Sequence, residues 1–230
     1  MSPDAASPKA ERVGLEAVVL DLDDTLIASA RAAQRARRQL LDFGVSPRRF
    51  LAADRRWWQR YLQGEVTLEQ LREGRWRDIG LDPVTAAKAD DAYRTTARIV
   101  NVRTGARALL RRLRALGLRI AILTNGAVEP QWRKIDKVGL ADLVDAVVIT
   151  EAIGFHKPDE RAFLAALERV ETGASAAAMV GDTLENDVAG ALATGFKKII
   201  WLTRNGHHPD PRVVPVKRLE AVVPALLAQT

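Results

Sequence analysis

The stretch "VVLDLDDTLIAS", residues 18–29, places Asp21, Asp23 and Asp24 directly behind an apolar run. Carboxylates a few ångströms apart resist joint ionisation, so such a cluster either faces water or is held together by a cation. Three further stretches carry groups suited to anion or metal chemistry: "LTNG" with Thr124 and Asn125, "HKPD" with Lys157, and "GDTLENDVAG" with Asp182 and Asp187. The sequence has no cysteine, which excludes disulfides, thiolate catalysis and thiolate-held zinc. A metal here would be held by oxygen or histidine.

The elements that must position these groups show in the hydropathy pattern. Short apolar runs at 18–20, 118–123, 146–149, 177–180 and 199–202 are continuous rather than alternating, the habit of parallel strands buried on both faces. Helical patterns lie between them, such as Leu109, Leu110, Leu113 and Leu116, then Ala162, Leu164 and Leu167. The succession predicts an α/β fold, a doubly wound and mostly parallel sheet of Rossmann-like type with right-handed crossovers. Each acidic or phosphate-apt stretch falls at or just beyond the C-terminal end of a run, where open α/β sheets bind ligands. Residues 30–98 interrupt this order. They show no strand pattern and are broken at Gly44, Pro47, Gly64, Gly80 and Pro83, which predicts a bundle of about four helices inserted after the first strand. The expected organisation is a mobile tail over 1–14, a catalytic core over 15–27 and 100–230, and a helical domain over 28–99.

A length of 230 residues buries roughly 70% of the unfolded surface, enough for one large domain or a core with an insert. With 47% hydrophobic residues and ten prolines the chain reads as globular. No apolar run approaches the ~18 residues of a membrane span and the first residues lack an apolar signal segment, so a soluble, cytoplasmic protein without a membrane partner is expected. The net charge of +6 and pI near 10.0 raise nucleic acid as a rival partner. The excess is local. Residues 28–99 hold fourteen Arg and one Lys against nine acids, while the remainder balances at twenty against twenty. Four chemistry-bearing strand ends favour an enzyme over a nucleic-acid binder.

Taken in order, "DLDDTL", "LTNG", "HKPD" and "GDTLEND" resemble the motifs of the haloacid dehalogenase-like hydrolase superfamily, of the phosphatase type with an all-helical cap inserted after the first strand. The resemblance covers about residues 15–228. It implies a Mg²⁺-dependent hydrolase that cleaves a phosphate monoester of a small metabolite through an aspartyl-phosphate intermediate. Asp21 would be the nucleophile, and Asp23 would protonate the leaving alcohol and then deprotonate water, its main-chain carbonyl facing the metal. Asp21, Asp23 and Asp182 would form the metal set, hard oxygens that suit Mg²⁺. Thr124 and Lys157 would bind the phosphoryl group through their side chains and Asn125, with Gly126, through main-chain N–H groups, Asp187 would order a metal-bound water or Lys157, and Thr25 would orient the loop of Asp21 and Asp23. Asp24 reads as a turn or helix-start acid rather than a ligand. The family's usual Pro-Gly turn after the cap is here Thr104–Gly105.

A haloacid dehalogenase and a sugar phosphomutase share this core; Asp23 argues against the first, and hydrolysis is the better reading over the second. A non-catalytic binding or regulatory module is the alternative of another class, although such modules usually lose a site acid and none is missing. The basic segment predicts a substrate with a second anionic group, with Arg35, Arg38, Arg56, Arg60 and Arg98 as candidate contacts. Arg72, Glu73, Arg75, Arg77 and Asp78 read together as a solvated charged face. His207 and His208 read as exposed loop residues and His156 as outside the chemistry, while Trp57 and Trp58 lie on different faces of a helix, one of them in its core.

Overall fold

A computed structural model describes residues 14–97 and 99–228. The tail expected over 1–14 lies outside these apart from Gly14, as does Arg98. The chain divides into two compact units, residues 28–101 and the sequence on either side of them.

In the first unit, six strands among the described residues form one sheet: β1 (Ala17–Leu20), β2 (Arg119–Thr124), β3 (Ala146–Ile149), β4 (Ala177–Gly181), β5 (Lys198–Leu202) and β6 (Val213–Val216). Their order is β3-β2-β1-β4-β5-β6 and every pairing is parallel. The direction of winding reverses between β1 and β4, which is the switch point at which such sheets open a crevice. Helices α5 (Ala106–Ala115), α6 (Val128–Lys137), α7 (Thr150–Ile153), α8 (Glu160–Arg169), α9 (Ala189–Thr194) and α10 (Val222–Leu227) make the crossovers and the C-terminal segment. One face of the sheet packs Val19, Ala121, Leu123 and Met179 against Ala162, Phe163, Ala166 and Leu167 of α8. By the two-residue alternation of a strand, Val18 and Leu20 turn to the other face, where α5 and α10 lie against β2 and β5. This explains why the strands read as unbroken apolar runs.

Strand β6 went unrecognised in the sequence because Pro215 interrupts "VVPV". It is an edge strand, where a residue without an N–H is tolerated. On α8 the buried position is Phe163, while Leu164 is 52% exposed. At the start of α5, Gly105 has φ +86, and a Cβ there would meet the Glu220 carboxylate at 2.8 Å. The glycine is thus required twice over, for the left-handed backbone and for the close approach.

The second unit contains, among its described residues, four α-helices: α1 (Ser29–Gln39), α2 (Pro47–Leu62), α3 (Leu68–Ile79) and α4 (Pro83–Ala97). Their ends follow from local chemistry. Ser46 accepts from the Arg49 N–H ahead of Pro47, Thr67 and Gln70 form a reciprocal capping box, and Gly44 and Gly80 close helical segments in the left-handed conformation. Helix α1 packs along α4, and α2 along α3. The α2–α3 approach depends on Gly74, where a Cβ would lie 2.2 Å from the Trp57 ring. Trp57 is buried and its indole donates to Asp78 at 2.8 Å; Trp58 is half-buried against Tyr61.

Arg75 departs from the expectation of a solvated face. It is 5% exposed, donates to Asp54 at 2.9 Å and to Asp90 at 2.6 Å, and lies over the rings of Phe50, Trp76 and Tyr93. Trp76 shares the Asp90 carboxylate through its indole N–H at 2.9 Å. A guanidinium is taken out of water only where acceptors and ring faces replace the lost hydration. The neighbouring Arg56 and Arg60 pair with Asp78 and Glu65.

Candidate active site

The C-terminal ends of β1 and β4 deliver the acids, and that of β2 delivers Thr124 and Asn125. Asp21 follows Leu20 and its N–H continues the ladder to the Val180 carbonyl at 2.9 Å, which fixes the first carboxylate beside β4. Asp182 follows β4 directly. The chain then makes a single wide turn over Leu184–Val188, closed by Asp187 and Val188 N–H groups on the Thr183 carbonyl, and this turn carries Asp187 back over the strand end. Such π-type turns recur where a helix start must re-aim a side chain. Gly181 makes the return possible, since a Cβ there would sit 2.4 Å from that of Asp187. One carboxylate oxygen from each of Asp21, Asp182 and Asp187 lies within 4.8 Å of the others.

Lys157 supplies the opposing charge. Its ammonium donates to Asp21 Oδ1 at 2.7 Å and to Asp187 Oδ1 at 2.6 Å, with the lysine 3% exposed. The other oxygen of Asp187 accepts from the Asp182 and Thr183 N–H groups at 3.2 and 3.0 Å. The Lys157 main chain is held by a reciprocal pair with the Asn125 amide: Lys157 N donates to Asn125 Oδ1 at 2.9 Å, and Asn125 Nδ2 donates to the Lys157 carbonyl at 3.0 Å. Thr25 reaches Asp182 Oδ1 at 3.4 Å, and the Trp201 indole donates to the Asp182 carbonyl at 3.0 Å. Asp24 is a turn residue with φ 62, its carbonyl accepting from Arg103.

The Asp23 carboxylate does not join the three-acid cluster. It accepts from the Lys134 ammonium at 2.8 and 2.9 Å and from Gln131 Nε2 at 2.8 Å, both on α6. Gln131 also donates to the Thr124 hydroxyl at 2.5 Å. Gln131 and Lys134 lie outside every motif singled out in the sequence. The available signal was their i, i+3 spacing on the first helix after "LTNG", which places two polar groups over one strand end.

Burial pushes the Asp21 carboxyl up to about 8, opposed by the Lys157 ammonium and reinforced by Asp187. Burial likewise pushes Asp182 up to about 6, with Asp187 and Asp24 adding to it. For Lys157, burial works against the charged form, but Asp21 and Asp187 outweigh it and hold the ammonium above its usual range. The acids Asp21, Asp23, Asp182 and Asp187 against the ammonium groups of Lys157 and Lys134 leave four charges minus two, a formal deficit of two positive charges. An all-oxygen donor set with that deficit fits a hard divalent cation.

Among the residues expected to act, Asp21, Asp182, Asp187 and Lys157 therefore converge, with Thr25 on Asp182. Thr124 is linked to Asp23 through Gln131. The Asn125 side chain is bonded to the Lys157 main chain, while the contact expected of Asn125 is through its main-chain N–H. The reciprocal pair fixes the main chain of the loop that carries Lys157. His156 is half-buried with Nδ1 against the Thr150 hydroxyl at 2.7 Å, and burial lowers its pKa. His207 is exposed and His208 accepts from the Asp210 N–H.

A parallel sheet with acids at two adjacent strand ends, a threonine at the next and a buried lysine facing the acids is the arrangement of a hydrolase. The family model of the haloacid dehalogenase-like hydrolases matches residues 15–195, and the chain belongs to that family. It is 31% identical over 204 residues to the pyrimidine 5′-nucleotidase YjjG of Escherichia coli (strain K12), covering 84% of this chain and 87% of that protein. It is 34% identical over 206 residues to the ribulose-1,5-bisphosphate 5-phosphatase of Halopiger xanaduensis, covering 80% and 84%. In fold it resembles the magnesium-bound HAD-hydrolase YfnB from Bacillus subtilis, with a TM-score of 0.73 over 92% of this chain and 98% of that one at 21% identity.

Proposed function

We propose that this protein is a Mg²⁺-dependent phosphatase of small phosphorylated metabolites. The observation that carries the reading is the Asp21 carboxylate at the end of β1, in contact with the buried Lys157 and within reach of Asp182 and Asp187. Asp21 is the nucleophile. Its oxygen bonds to phosphorus as the bond from phosphorus to the leaving alcohol breaks, and Asp23 gives its proton to that alcohol. In the second half Asp23 takes a proton from water, the water oxygen bonds to phosphorus, and Asp21 is released with inorganic phosphate. Lys157 stabilises the charge on the phosphoryl oxygens, and Asp187 fixes the ammonium for that task. Thr124 offers a hydroxyl from the end of β2.

Asp21 and Asp182 would hold the cation, with Asp187 as the third carboxylate of the cluster and Asp23 contributing its main-chain carbonyl. When bound, Mg²⁺ supplies the missing positive charge and polarises a phosphoryl oxygen. The inserted helices act as a cap, and their basic excess selects a second anionic group on the substrate. That reading is supported by a relative named for a bisphosphate substrate. It must exclude Arg75, which is buried between Asp54 and Asp90 of the same unit.

The test is phosphate release from a panel of phosphorylated metabolites with Mg²⁺ and with chelator. Release that requires Mg²⁺ supports the reading. Full activity in chelator, or fluoride or chloride release from 2-haloacids with no phosphate release, would replace it with dehalogenation.

A further inference from the structure

We infer that Lys134 and Gln131 are positioning residues that hold the Asp23 carboxylate in register for proton transfer; the inference rests on the reading of Asp23 as acid and base. Both residues project from one face of α6, one turn apart. The Lys134 ammonium meets the two carboxylate oxygens almost symmetrically, at 2.8 and 2.9 Å, while Gln131 Nε2 takes Oδ2 alone at 2.8 Å. Gln131 is itself fixed, being 3% exposed and donating also to Thr124 Oγ1 and to the Asn125 carbonyl at 3.3 Å.

Three donor contacts from two side chains on a single rigid element define the plane of the carboxylate as well as its place. An ordinary exposed ion pair would contribute little and fix nothing. This pair is shielded, the Lys134 and Asp23 side chains being 19% and 29% exposed. It also converges on the one acid that stands apart from the cluster of Asp21, Asp182 and Asp187. Proton transfer to a leaving oxygen needs hydrogen-bond contact, and displacement of the donor by an ångström costs about a hundredfold in rate. The same Gln131 amide ties the Asp23 carboxylate to the Thr124 hydroxyl, so the proton carrier and a phosphoryl-binding group share one anchor.

The test compares two phosphate esters of similar size, p-nitrophenyl phosphate, whose leaving group departs without a proton, and p-nitrophenethyl phosphate, whose alkoxide does not. The value of kcat/KM reports the steps up to departure of the leaving group. In Lys134→Met it should fall about a hundredfold for the alkyl ester and change less than about threefold for the aryl ester, and Lys134→Arg should recover the alkyl ester to within about threefold of wild type. Equal losses on both esters would mean a structural role and overturn the inference, as would no loss on either. Asp23→Asn, measured alongside, separates the positioning role of Lys134 from the acid role of Asp23. If it loses the alkyl ester selectively while Lys134→Met does not, the positioning role falls and the proposed function stands. If Asp23→Asn shows no selectivity either, Asp23 is not the acid and both fall.

Discussion

Replacement of Asp187 by Asn probes the charge balance of the site with a change of one atom. Asp187 accepts from Lys157 on one oxygen at 2.6 Å and from the Asp182 and Thr183 N–H groups on the other at 3.2 and 3.0 Å. An amide has only one acceptor oxygen. If that oxygen stays on the two main-chain donors, the NH₂ group confronts the ammonium; if it turns to Lys157, two buried N–H groups lose their acceptor. Loss of a hydrogen bond to a charged group costs about 1.5–3 kcal/mol. Against this, removing one negative charge relieves Asp21 and Asp182, both of which Asp187 pushes upward. The net expectation is a loss of about 2 kcal/mol, or roughly 4–8 °C in Tm for a chain of this size. Lys157 also loses one of its two fixed partners, so kcat should fall about a hundredfold. Thermal melting by circular dichroism in chelator, with steady-state phosphate release in Mg²⁺, measures both. A variant within 1 °C of wild type and within about threefold in kcat would show that Asp187 neither compensates nor orients Lys157.

Gly181→Ala should cost about 1–3 kcal/mol, read from the melting midpoint, and reduce activity more than tenfold, because its Cβ would displace Asp187 from 2.4 Å. Arg75→Met should destabilise the helical unit by about 3 kcal/mol, since Asp54 and Asp90 lose their shared buried partner; limited proteolysis within residues 28–101 reports it. In the cation-free protein Asp21 and Asp182 titrate at about 8 and about 6, above the roughly 3.9 of an unfolded Asp, so the native state holds protons that the unfolded chain has released. Melting in chelator should therefore show stability falling as pH rises from about 4 to about 8, the raised Lys157 remaining fully charged throughout that window. Mg²⁺ displaces those protons, so its stabilising shift in Tm should be larger at pH 8 than at pH 5. If the basic unit selects a second anionic group, kcat/KM for bis-anionic esters should exceed that for matched neutral ones at least tenfold and the ratio should shrink with salt; equal values at both salts would remove that role.

The acids at strand ends were legible because two independent patterns coincide there, an apolar run that ends and a carboxylate or amide that begins. Asp21 and Asp182 stand at such ends, whereas Lys157 lies beyond β3 and a short helix and was placed in the site by its motif in company with the other three. The side-chain destinations were less legible. Asp21 and Asp23 share a strand-end spacing of two, yet one meets Lys157 and the other Lys134, because α6 reaches over the second and a loop over the first. Asn125 sits in a motif that reads as ligand-binding, and the sequence carries no sign that its amide closes on the Lys157 main chain. Arg75 lies among charged neighbours every one of which suits a surface helix, and its burial follows from Phe50, Tyr93, Asp54 and Asp90, which are distant in sequence. β6 was hidden by a proline that an edge position tolerates. The core elements follow from local pattern, whereas these pairings are tertiary.

The covalent role of Asp21 is tested most directly by acid-quenching the enzyme during turnover of p-nitrophenyl [³²P]phosphate in Mg²⁺ and mapping any label to a peptide. A covalent Asp21 intermediate gives acid-stable, hydroxylamine-labile phosphate on the peptide containing Asp21, and none in Asp21→Asn, whose turnover should lie below about a thousandth of wild type. Full phosphate release by Asp21→Asn, or label on another residue, would contradict it.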